Sequence, residues 1–333
     1  MVLFELHAKS LYLFSIINKL SNIPDHMNYN GIDFIGDIHG HADELEGLLK
    51  KMGYSRDRHT WEHPNRLAFF VGDFIDRGPK IPEALTIIRN MVENGSAKAV
   101  MGNHEYNAIC FNRIKKGGGY LREHSIKNLN QHIKTIQQFH GKGDEYRDFI
   151  RWFYSLPVFF ETDDFRVVHA SWDHEYISFL KNQTNNGLLD DELVDRSSQK
   201  GTPFYGAIDT ILKGKELSLP DGYTFKDEDG HERDAVRMKW WENPTNQTFK
   251  SIAVIKSRNL PDIPVKNDEL SNHRMYDSNQ PPIFFGHYWL NGNPNLYKEN
   301  VCCLDYSVAN NGKLVAYRFD GEAKLSDKKL VYV

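Results

Sequence analysis

The sequence predicts an α/β fold in which parallel strands are covered by helices. The first observation is an alternation of apolar strand patterns with helical patterns between residues 31 and 103, at spacings that fit crossover units. The second is length, because 333 residues can bury a large core without disulfides or a structural metal. No internal repeat or low-complexity linker divides the chain, so we expect one domain over residues 27–333, with an extension at 1–26 and irregular insertions at about 172–281.

Two helical patterns link the first three strands. The segment 43–53 has leucines at helical spacing, acidic residues in its first turn and a glycine at its end, and the segment 81–95 also closes at a glycine. The C-terminal residues 300–321 predict strands joined by a turn at 310–312. The other apolar segments predicted to form strands are 31–37, 67–73, 97–103, 165–170 and 281–287.

Charge and cysteine content exclude several classes of protein. Lys plus Arg is 41 and Asp plus Glu is 45, so the net charge of −4 gives no electrostatic case for binding nucleic acid. The three cysteines, Cys110, Cys302 and Cys303, are odd in number and two are adjacent, which does not fit a secreted disulfide framework. We therefore expect a reducing, cytoplasmic location.

The N-terminal segment is the one part of the chain that resembles a targeting signal. Its apolar stretch is short and interrupted, Glu5 lies where an export signal has positive charge, and no small-residue cleavage site follows. We expect neither a signal peptide nor a membrane span there. The segment is either a peripheral helix or a stretch before a natural start at Met27, and a chain beginning at Met27 should fold and remain active.

Polar residues follow the predicted strands at their carboxyl ends, where an open parallel sheet gathers its functional groups. Each alone could be an ordinary turn residue, but five in succession are hard to explain in that way. Their oxygen and nitrogen donors suit Mn²⁺, Fe or Zn²⁺ better than a structural thiolate site, and Asp73, on a central strand, is placed to bridge two ions. The set is Asp37, Asp73, Asn103, His169 and His287, with His39 two residues beyond the first.

Three motifs carry a resemblance to a known family. GDIHG at 36–40, GDFIDRG at 72–78 and GNHE at 102–105, followed by VVHA and FFGH, resemble the calcineurin-like metallophosphoesterases of the phosphoprotein phosphatase type. That type includes bacterial serine/threonine phosphatases and diadenosine tetraphosphatases. The resemblance is close over residues 31–110 and reduced to isolated points beyond them. It implies an α/β/β/α sandwich with a dinuclear metal site at the strand carboxyl ends.

The resemblance also implies roles for the metal ligands. Asp73 would bridge two divalent ions, for which Mn²⁺ is the first choice and Fe, Zn, Ni or Mg are alternatives. Asp37 and His39 would bind one ion. The ligands of the other would be Asn103, His169 and His287.

Three further residues in the same motifs are implied to act on the substrate or to support the group that does. Arg77 would hold a phosphate oxygen, and His104 would protonate the leaving group while Asp76 orients its ring. A guanidinium and an imidazole suit these tasks because a phosphoryl group under attack gains negative charge and an alkoxide needs a proton. Glu105 is interpreted as a loop anchor as readily as a catalytic group.

The sequence departs from the family pattern after the first histidine of VVHA. Ser171 and Trp172 stand where glycines are usual, so we expect the loop to take another path, and His174 is expected to lie outside the metal ligands or at the surface. Tyr288 and Trp289 either wall the substrate cleft or pack in the core. The segment 115–120 is expected to be a flexible loop and not a phosphate-binding loop.

Further residues in the segment 172–281 also have two possible interpretations. Trp240 and Trp241 could line the cleft or belong to the core. A second phosphate-binding arginine is expected, and the sequence does not choose among Arg233, Arg237 and Arg258.

The leading functional hypothesis is a metal-dependent phosphohydrolase in which a metal-bound hydroxide attacks a phosphomonoester, in a phosphoprotein or a small molecule. The alternatives are a symmetric dinucleoside-tetraphosphate hydrolase, a non-catalytic binding protein on the same fold, and a nuclease. The negative net charge offers no general attraction for a polyphosphate, so phosphomonoesters are expected to react more efficiently than diadenosine tetraphosphate. No nucleic-acid or membrane partner is expected, and the oligomeric state is left open.

Overall fold

The computed structural model describes residues 29–57, 60–226, 230, 232–254, 259–266 and 274–333. The predictions for residues 1–26, for a start at Met27 and for Arg258 lie outside these ranges. Within them, no helix is both long and apolar enough to cross a membrane.

The regular elements follow the chain in alternation. The strands are β1 (Gly31–Ile35), β2 (Ser55–Asp57), β3 (Thr60–Glu62), β4 (Arg66–Phe70), β5 (Ala97–Ala99), β6 (Phe159–Glu161), β7 (Arg166–Val168), β8 (Glu216–Ser218), β9 (Phe225–Lys226), β10 (Glu232–Arg233), β11 (Ala235–Arg237), β12 (Ile283–Phe285), β13 (Val301–Cys303), β14 (Asp305–Tyr306), β15 (Lys313–Phe319) and β16 (Leu330–Tyr332). The α-helices are α1 (Ala42–Met52), α2 (Ile81–Glu93), α3 (Asn103–Asn112), α4 (Ile126–Gln138), α5 (Gly143–Phe153), α6 (His174–Gln183), α7 (Asp191–Ser197), α8 (Pro203–Lys213) and α9 (Phe249–Ile252). Short 3₁₀ helices span Val308–Asn310 and Asp327–Lys329.

Two larger sheets form the centre of the molecule. One has the order β14-β15-β1-β4-β5, with β16 beside β15, and its strands β1, β4 and β5 are parallel. The other has the order β13-β12-β7-β6, and β7, β12 and β13 are parallel. The five segments predicted as strands all form them, but the first three belong to one sheet and the last two to the other.

Aromatic side chains join the inner faces of the two sheets. Phe34 of β1 stacks on Phe284 of β12 with ring centroids 3.7 Å apart, and the ring centroid of Phe165 lies 5.2 Å from that of Phe34. The next residues along those strands, Ile35 and Phe285, point to the opposite faces and pack in a second cluster with the apolar sides of the helices. This layering is the predicted α/β/β/α sandwich.

The stretch 172–281, predicted to be irregular, contains regular structure. Helices α6, α7 and α8 lie in its first part, and α8 buries an apolar face that includes Ile208 and Ile211. The strand pairs β8–β11 and β9–β10 follow, with a small core of their own around Val236 and Met238. These short elements are stabilised by tertiary packing, which a local sequence pattern does not record.

Candidate active site

The loops that follow β1, β4, β5, β7 and β12 meet at one edge of the sandwich. Parallel strands bring their carboxyl ends to the same edge, so the topology dictates this convergence. The strands end two or more residues earlier than predicted, at Ile35, Phe70, Ala99, Val168 and Phe285. Asp37, Asp73, His169 and His287 therefore lie on loops, where backbone geometry can vary, and Asn103 is the first residue of α3.

Backbone strain is concentrated in these loops. Four non-glycine residues of the candidate site have positive φ: His39 (48°), Asp73 (57°), Asp76 (90°) and His287 (76°). Such conformations cost on the order of 1–3 kcal/mol each and persist where the surroundings enforce them. Their concentration at one edge is typical of a functional site.

Asp73 lies at the centre of the arrangement. Its Oδ2 atom is 3.6 Å from His39 Nε2, 3.3 Å from His169 Nε2 and 3.8 Å from His104 Nε2. Two buried groups of side chains have ligand atoms close enough to hold a metal ion. They are His39, Asp73 and His104, and Asp73, His169 and His287, with Asp73 in both. A carboxylate that belongs to both groups of potential ligands is in the position needed to bridge two metal ions.

The histidine rings are oriented by backbone carbonyls. His39 Nδ1 lies 2.8 Å from the Ile75 carbonyl and His169 Nδ1 lies 2.9 Å from the Val71 carbonyl, so each Nδ1–H donates to backbone and each Nε2 carries a lone pair directed at the centre. Histidines that bind metals are commonly held in this way through the other ring nitrogen.

Several buried polar atoms at the centre make no hydrogen bond with any described residue. They are His39 Nε2, His287 Nε2 and Asp37 Oδ1. Buried polar atoms are otherwise almost always satisfied, and the lone pairs of these atoms beside Asp73 suit a bound cation. The residues present therefore fit a divalent metal site.

Asp37, which belongs to neither of the two groups of potential ligands, and Asn103 are the remaining residues of the predicted set. Asp37 Oδ2 accepts a hydrogen bond from the His287 backbone N–H at 3.0 Å, and Asn103 Oδ1 lies 3.1 Å from His169 Nε2. Burial, with the neighbouring charges of Asp305 and Asp73, raises the pKa of Asp37 well above its usual range. A cation bound nearby would favour the charged form of such a buried carboxylate.

Glu105 anchors the loop after β4. Its Oε2 accepts hydrogen bonds from the backbone N–H groups of Asp73 at 2.9 Å and Gly102 at 3.0 Å, and its Oε1 accepts from Phe74 at 2.7 Å. These hydrogen bonds agree with the interpretation of Glu105 as a residue that anchors the loop. Burial and the Asp73 carboxylate raise the pKa of Glu105 to about 7.

His104 and Asp76 form a short buried pair. His104 Nδ1 lies 2.5 Å from Asp76 Oδ2, and Asp76 Oδ1 receives His132 Nδ1 at 2.5 Å and the Thr135 hydroxyl at 2.6 Å. Burial alone would lower the pKa of His104, but the Asp73 and Asp76 carboxylates raise it. Burial alone would raise the pKa of Asp76, and the hydrogen bonds from His104 and His132 lower it instead.

Arg77 lies beside this pair at the rim of the site. Its guanidinium carbon lies 4.7 Å from the centroid of the Trp289 ring, and that ring lies 6.0 Å from the ring of His39. A guanidinium that packs on an aromatic face is held in position by the attraction between its charge and the ring. Trp289 is half-buried and Tyr288 is buried, so Trp289 is the member of this pair that faces the cleft.

Two residues important to the site were missed by sequence reasoning. His132 comes from α4, far along the chain from its partner Asp76. Asp305 is buried and accepts hydrogen bonds from the backbone N–H groups of Trp289 at 2.7 Å and Ser307 at 2.9 Å. Burial raises the pKa of Asp305 to about 6. In the sequence, Asp305 could have been noticed as a single acidic residue between apolar strand patterns.

The structure resolves the remaining alternatives for aromatic and basic residues. Trp172, Trp240 and Trp241 are all buried, so they belong to the core. His174 stacks on Tyr276 and is in neither group of potential ligands. Burial, and after it the charge of Arg237, lowers the pKa of His287 well below its usual range, so Arg237 is an arginine whose charge acts on the site.

The fold and the clustered potential ligands indicate a phosphoric ester hydrolase whose buried His and Asp side chains could bind divalent metal ions. The sequence profile described as calcineurin-like phosphoesterase matches residues 31–303. The chain belongs to the calcineurin-like phosphoesterase family, whose members use a dinuclear divalent metal centre.

Curated relatives of the chain are named as tetraphosphatases. The asymmetrical bis(5'-nucleosyl)-tetraphosphatase PrpE of Bacillus subtilis is 40% identical over 175 residues, 52% of this chain and 70% of that protein. Its counterpart in Halalkalibacterium halodurans is 30% identical over 180 residues, 51% of this chain and 69% of that protein. A symmetrical bis(5'-nucleosyl)-tetraphosphatase of Vibrio parahaemolyticus is 30% identical over 145 residues, 42% of this chain and 46% of that protein.

Proposed function

We propose that the protein is a metal-dependent phosphomonoesterase in which His104 protonates the leaving group. The observation that carries the proposal is the position of Asp73, whose carboxylate is shared by two groups of potential ligands while His104 Nε2 lies 3.8 Å from it. Two divalent ions bound there would supply an activated water as nucleophile and stabilise negative charge on the phosphoryl oxygens.

The proposed ligands divide into two sets around Asp73. Asp37 and His39 belong to one set, and Asn103, His169 and His287 to the other. The unsatisfied atoms of Asp37, His39 and His287 support this division, as does the orientation of His39 and His169 by backbone carbonyls. Oxygen and imidazole donors without thiolate favour Mn²⁺ as the first choice, with Fe, Zn, Ni or Mg as alternatives.

His104 is proposed as the general acid and not as a ligand. Its Nδ1–H is held by Asp76 at 2.5 Å, which leaves Nε2 as the nitrogen that faces the centre. A proton on Nε2 is then directed at the position of a leaving oxygen, and Asp76 keeps the ring in that orientation.

Arg77 and Arg237 are proposed to bind phosphoryl oxygens. Arg77 is held over Trp289, and Arg237 Nε donates to the Lys213 carbonyl at 2.8 Å, which orients its remaining N–H groups. Planar guanidinium forks bind phosphate oxygens in pairs, so two of them restrict the substrate to one orientation.

Two substrate classes are distinguished by specific observations. The burial of Trp172, Trp240 and Trp241 removes three candidate surfaces for stacking a nucleobase, which favours a phosphomonoester. The names of the relatives favour a dinucleoside tetraphosphate as the second candidate substrate. Two of the three relatives described are named as asymmetrical enzymes, and one as symmetrical. Symmetric cleavage, the alternative drawn from the sequence, is the activity named for one of the three relatives described.

The deciding measurement for the substrate is kcat/KM on phosphopeptides, nucleotides and diadenosine tetraphosphate under one metal condition. Higher values for phosphomonoesters support the first class. A clear preference for diadenosine tetraphosphate would overturn it, and the products would then show the cleavage position. Asymmetrical cleavage gives ATP and AMP, whereas symmetrical cleavage gives two ADP.

The catalytic proposal is tested by metal removal and by two substitutions. Activity on an aryl phosphate should disappear after exhaustive chelation and return with Mn²⁺. Asp73→Asn should reduce the content of both metals, while His104→Asn should leave metal content nearly unchanged and lower kcat by roughly 10²- to 10⁴-fold. Undiminished turnover after confirmed metal loss would refute the hydrolase mechanism, and metal binding without turnover on any phosphate ester would favour the non-catalytic alternative.

The predicted cytoplasmic location is retained as part of the proposal. Cys110, Cys302 and Cys303 are free and buried, which suits a reducing compartment. Fractionation of the native cells, followed by detection of the protein, would test it.

A further inference from the structure

Asp76 receives more hydrogen bonds than the orientation of one histidine requires. The side chain is 5% exposed, and its two oxygens receive three donors. Oδ2 binds His104 Nδ1, while Oδ1 accepts from His132 Nδ1 and from the Thr135 hydroxyl, both on α4. A carboxylate with hydrogen bonds to both oxygens cannot rotate freely. The two donors on α4 hold Oδ1, and they therefore also fix the position of Oδ2 relative to His104.

The hydrogen bonds continue beyond His132 to α5 and α3. His132 Nε2 lies 2.7 Å from the Tyr146 hydroxyl, and Asn112 Nδ2 lies 2.8 Å from the same hydroxyl. Asn112 Nδ2 also donates to the Ala108 carbonyl at 2.8 Å.

This second contact fixes the amide orientation, because the opposite orientation would set the amide oxygen against a carbonyl oxygen. Asn112 therefore donates to the Tyr146 oxygen. The proton of the Tyr146 hydroxyl is directed at His132 Nε2, and the proton of the His132 ring is on Nδ1, facing Asp76. Each member of the series donates in the direction of the carboxylate.

Apolar rings surround the series. The ring of Phe111 lies 5.2 Å from that of His132, and the ring of Phe139 lies 5.4 Å from that of Tyr146. His132 is 4% exposed. Because water is largely excluded, these hydrogen bonds are stronger than exposed ones and polarise one another.

We propose that His132 and Tyr146 are positioning residues that hold Asp76 in the orientation in which it controls the His104 ring. This inference rests on the proposed role of His104 as the general acid. His132 and Tyr146 do not touch the metal ligands described above, and their effect reaches the reaction only through Asp76 and His104. The inference therefore predicts a defect in leaving-group protonation, with metal content unchanged.

Dependence on the leaving group separates this role from a structural one. A poor leaving group such as phenolate, or the alkoxide of phosphoserine, needs a proton, whereas 2,4-dinitrophenolate departs without one. His132→Leu should lower kcat on phenyl phosphate by roughly 10- to 100-fold, by analogy with the loss seen when the hydrogen-bond partner of a metal-binding histidine is removed. On 2,4-dinitrophenyl phosphate the same variant should stay within about twofold of the parent enzyme.

Two conservative variants complete the series. His132→Asn places an amide N–H near the position of Nδ1, so it should recover most of the activity on phenyl phosphate. Tyr146→Phe removes the hydroxyl and keeps the ring, and it should show a smaller defect with the same leaving-group dependence. His124→Leu is the matched control, since His124 stacks on Phe111 with centroids 3.8 Å apart but is bonded to a backbone carbonyl instead of Asp76.

The experiment measures kcat on both substrates for these variants, alone and combined with His104→Asn. If His104→Asn alone leaves kcat on phenyl phosphate unchanged, the proposed function of His104 fails. A second outcome is that His104→Asn is defective while His132→Leu lowers kcat equally on both substrates, or lowers it on neither. The positioning role of His132 is then overturned, and the general-acid role of His104 is retained. Support requires a selective defect in His132→Leu, partial recovery in His132→Asn, and no further loss when His132→Leu is added to His104→Asn.

Discussion

Replacing Gly286 by alanine should displace Asp37 from the candidate metal centre. A Cβ atom built on Gly286 would lie 1.8 Å from Asp37 Oδ1 and 2.8 Å from Asp37 Cγ. An ordinary contact between carbon and oxygen is about 3.3 Å, so the carboxylate oxygen would have to move by roughly 1.5 Å, the difference from 1.8 Å. Metal–ligand distances tolerate only about 0.2 Å.

Relief by movement of residue 286 itself is restricted. The Gly286 N–H donates to the His169 carbonyl at 2.9 Å, and the Gly286 carbonyl receives the Cys303 thiol at 3.6 Å. The Asp37 side chain, and not the backbone of residue 286, is therefore expected to move. We expect Gly286→Ala to lose about one of two metal equivalents and to lower kcat by 10²-fold or more, on the order of the loss of one catalytic metal ligand.

Metal analysis of purified protein, with kcat on an aryl phosphate, measures the outcome. Gly47→Ala is the matched control, because a Cβ there would meet its nearest atom, on Val333, at 3.9 Å, and because alanine favours the helix α1 by about 1 kcal/mol. Gly47→Ala should retain both metals, full activity and equal or higher stability. Two metal equivalents and parental kcat in Gly286→Ala would refute the argument that Asp37 is a ligand held against this glycine.

Three further substitutions have expected outcomes. Glu105→Gln sets an amide N–H₂ against backbone donors and should lower the free energy of unfolding by roughly 2–4 kcal/mol, measured by urea denaturation; an unchanged midpoint would contradict the anchoring role. Asp305→Asn loses one of its two acceptor oxygens and should destabilise by roughly 1–3 kcal/mol in the same assay, and no change would show that the loop is held in another way. Arg77→Lys should raise KM for a phosphomonoester by roughly tenfold, since an ammonium cannot reproduce the fork or its stacking on Trp289, and an unaltered KM would exclude Arg77 from substrate binding.

The convergence of the polar residues was predictable because it follows from topology. Once the strands before Asp37, Asp73 and Asn103 are parallel neighbours, their loops must meet. The nearly continuous burial of β1 and β4 shows that both faces of the sheet are covered. The division of the strands into two sheets follows from the family resemblance and not from periodicity. A buried apolar segment such as 281–287 has the same pattern in either sheet.

The supporting residues were not predictable in this way. His132 and Asp76 are 56 positions apart, and the polar residues along α4 give His132 no local pattern of its own. The role of Trp240 was open because a tryptophan in a core and one in a cleft look alike in sequence. Its indole N–H donates to the Ala170 carbonyl at 3.0 Å, a contact that only the assembled fold creates.

The loops of the site are bound to one another as well as to their strands. The backbone N–H groups of Ile38 and His39 donate to the Asp73 carbonyl at 3.0 and 2.9 Å, and the Gly78 N–H donates to the His39 carbonyl at 2.5 Å. Glu105 joins the loop after β5 to the loop after β4. These bonds enforce the positive φ angles of His39 and Asp73, which neither loop would adopt alone. Because the loops support each other, changes at Gly286 or Glu105 should disturb metal binding although neither residue is proposed to contact the phosphoryl group.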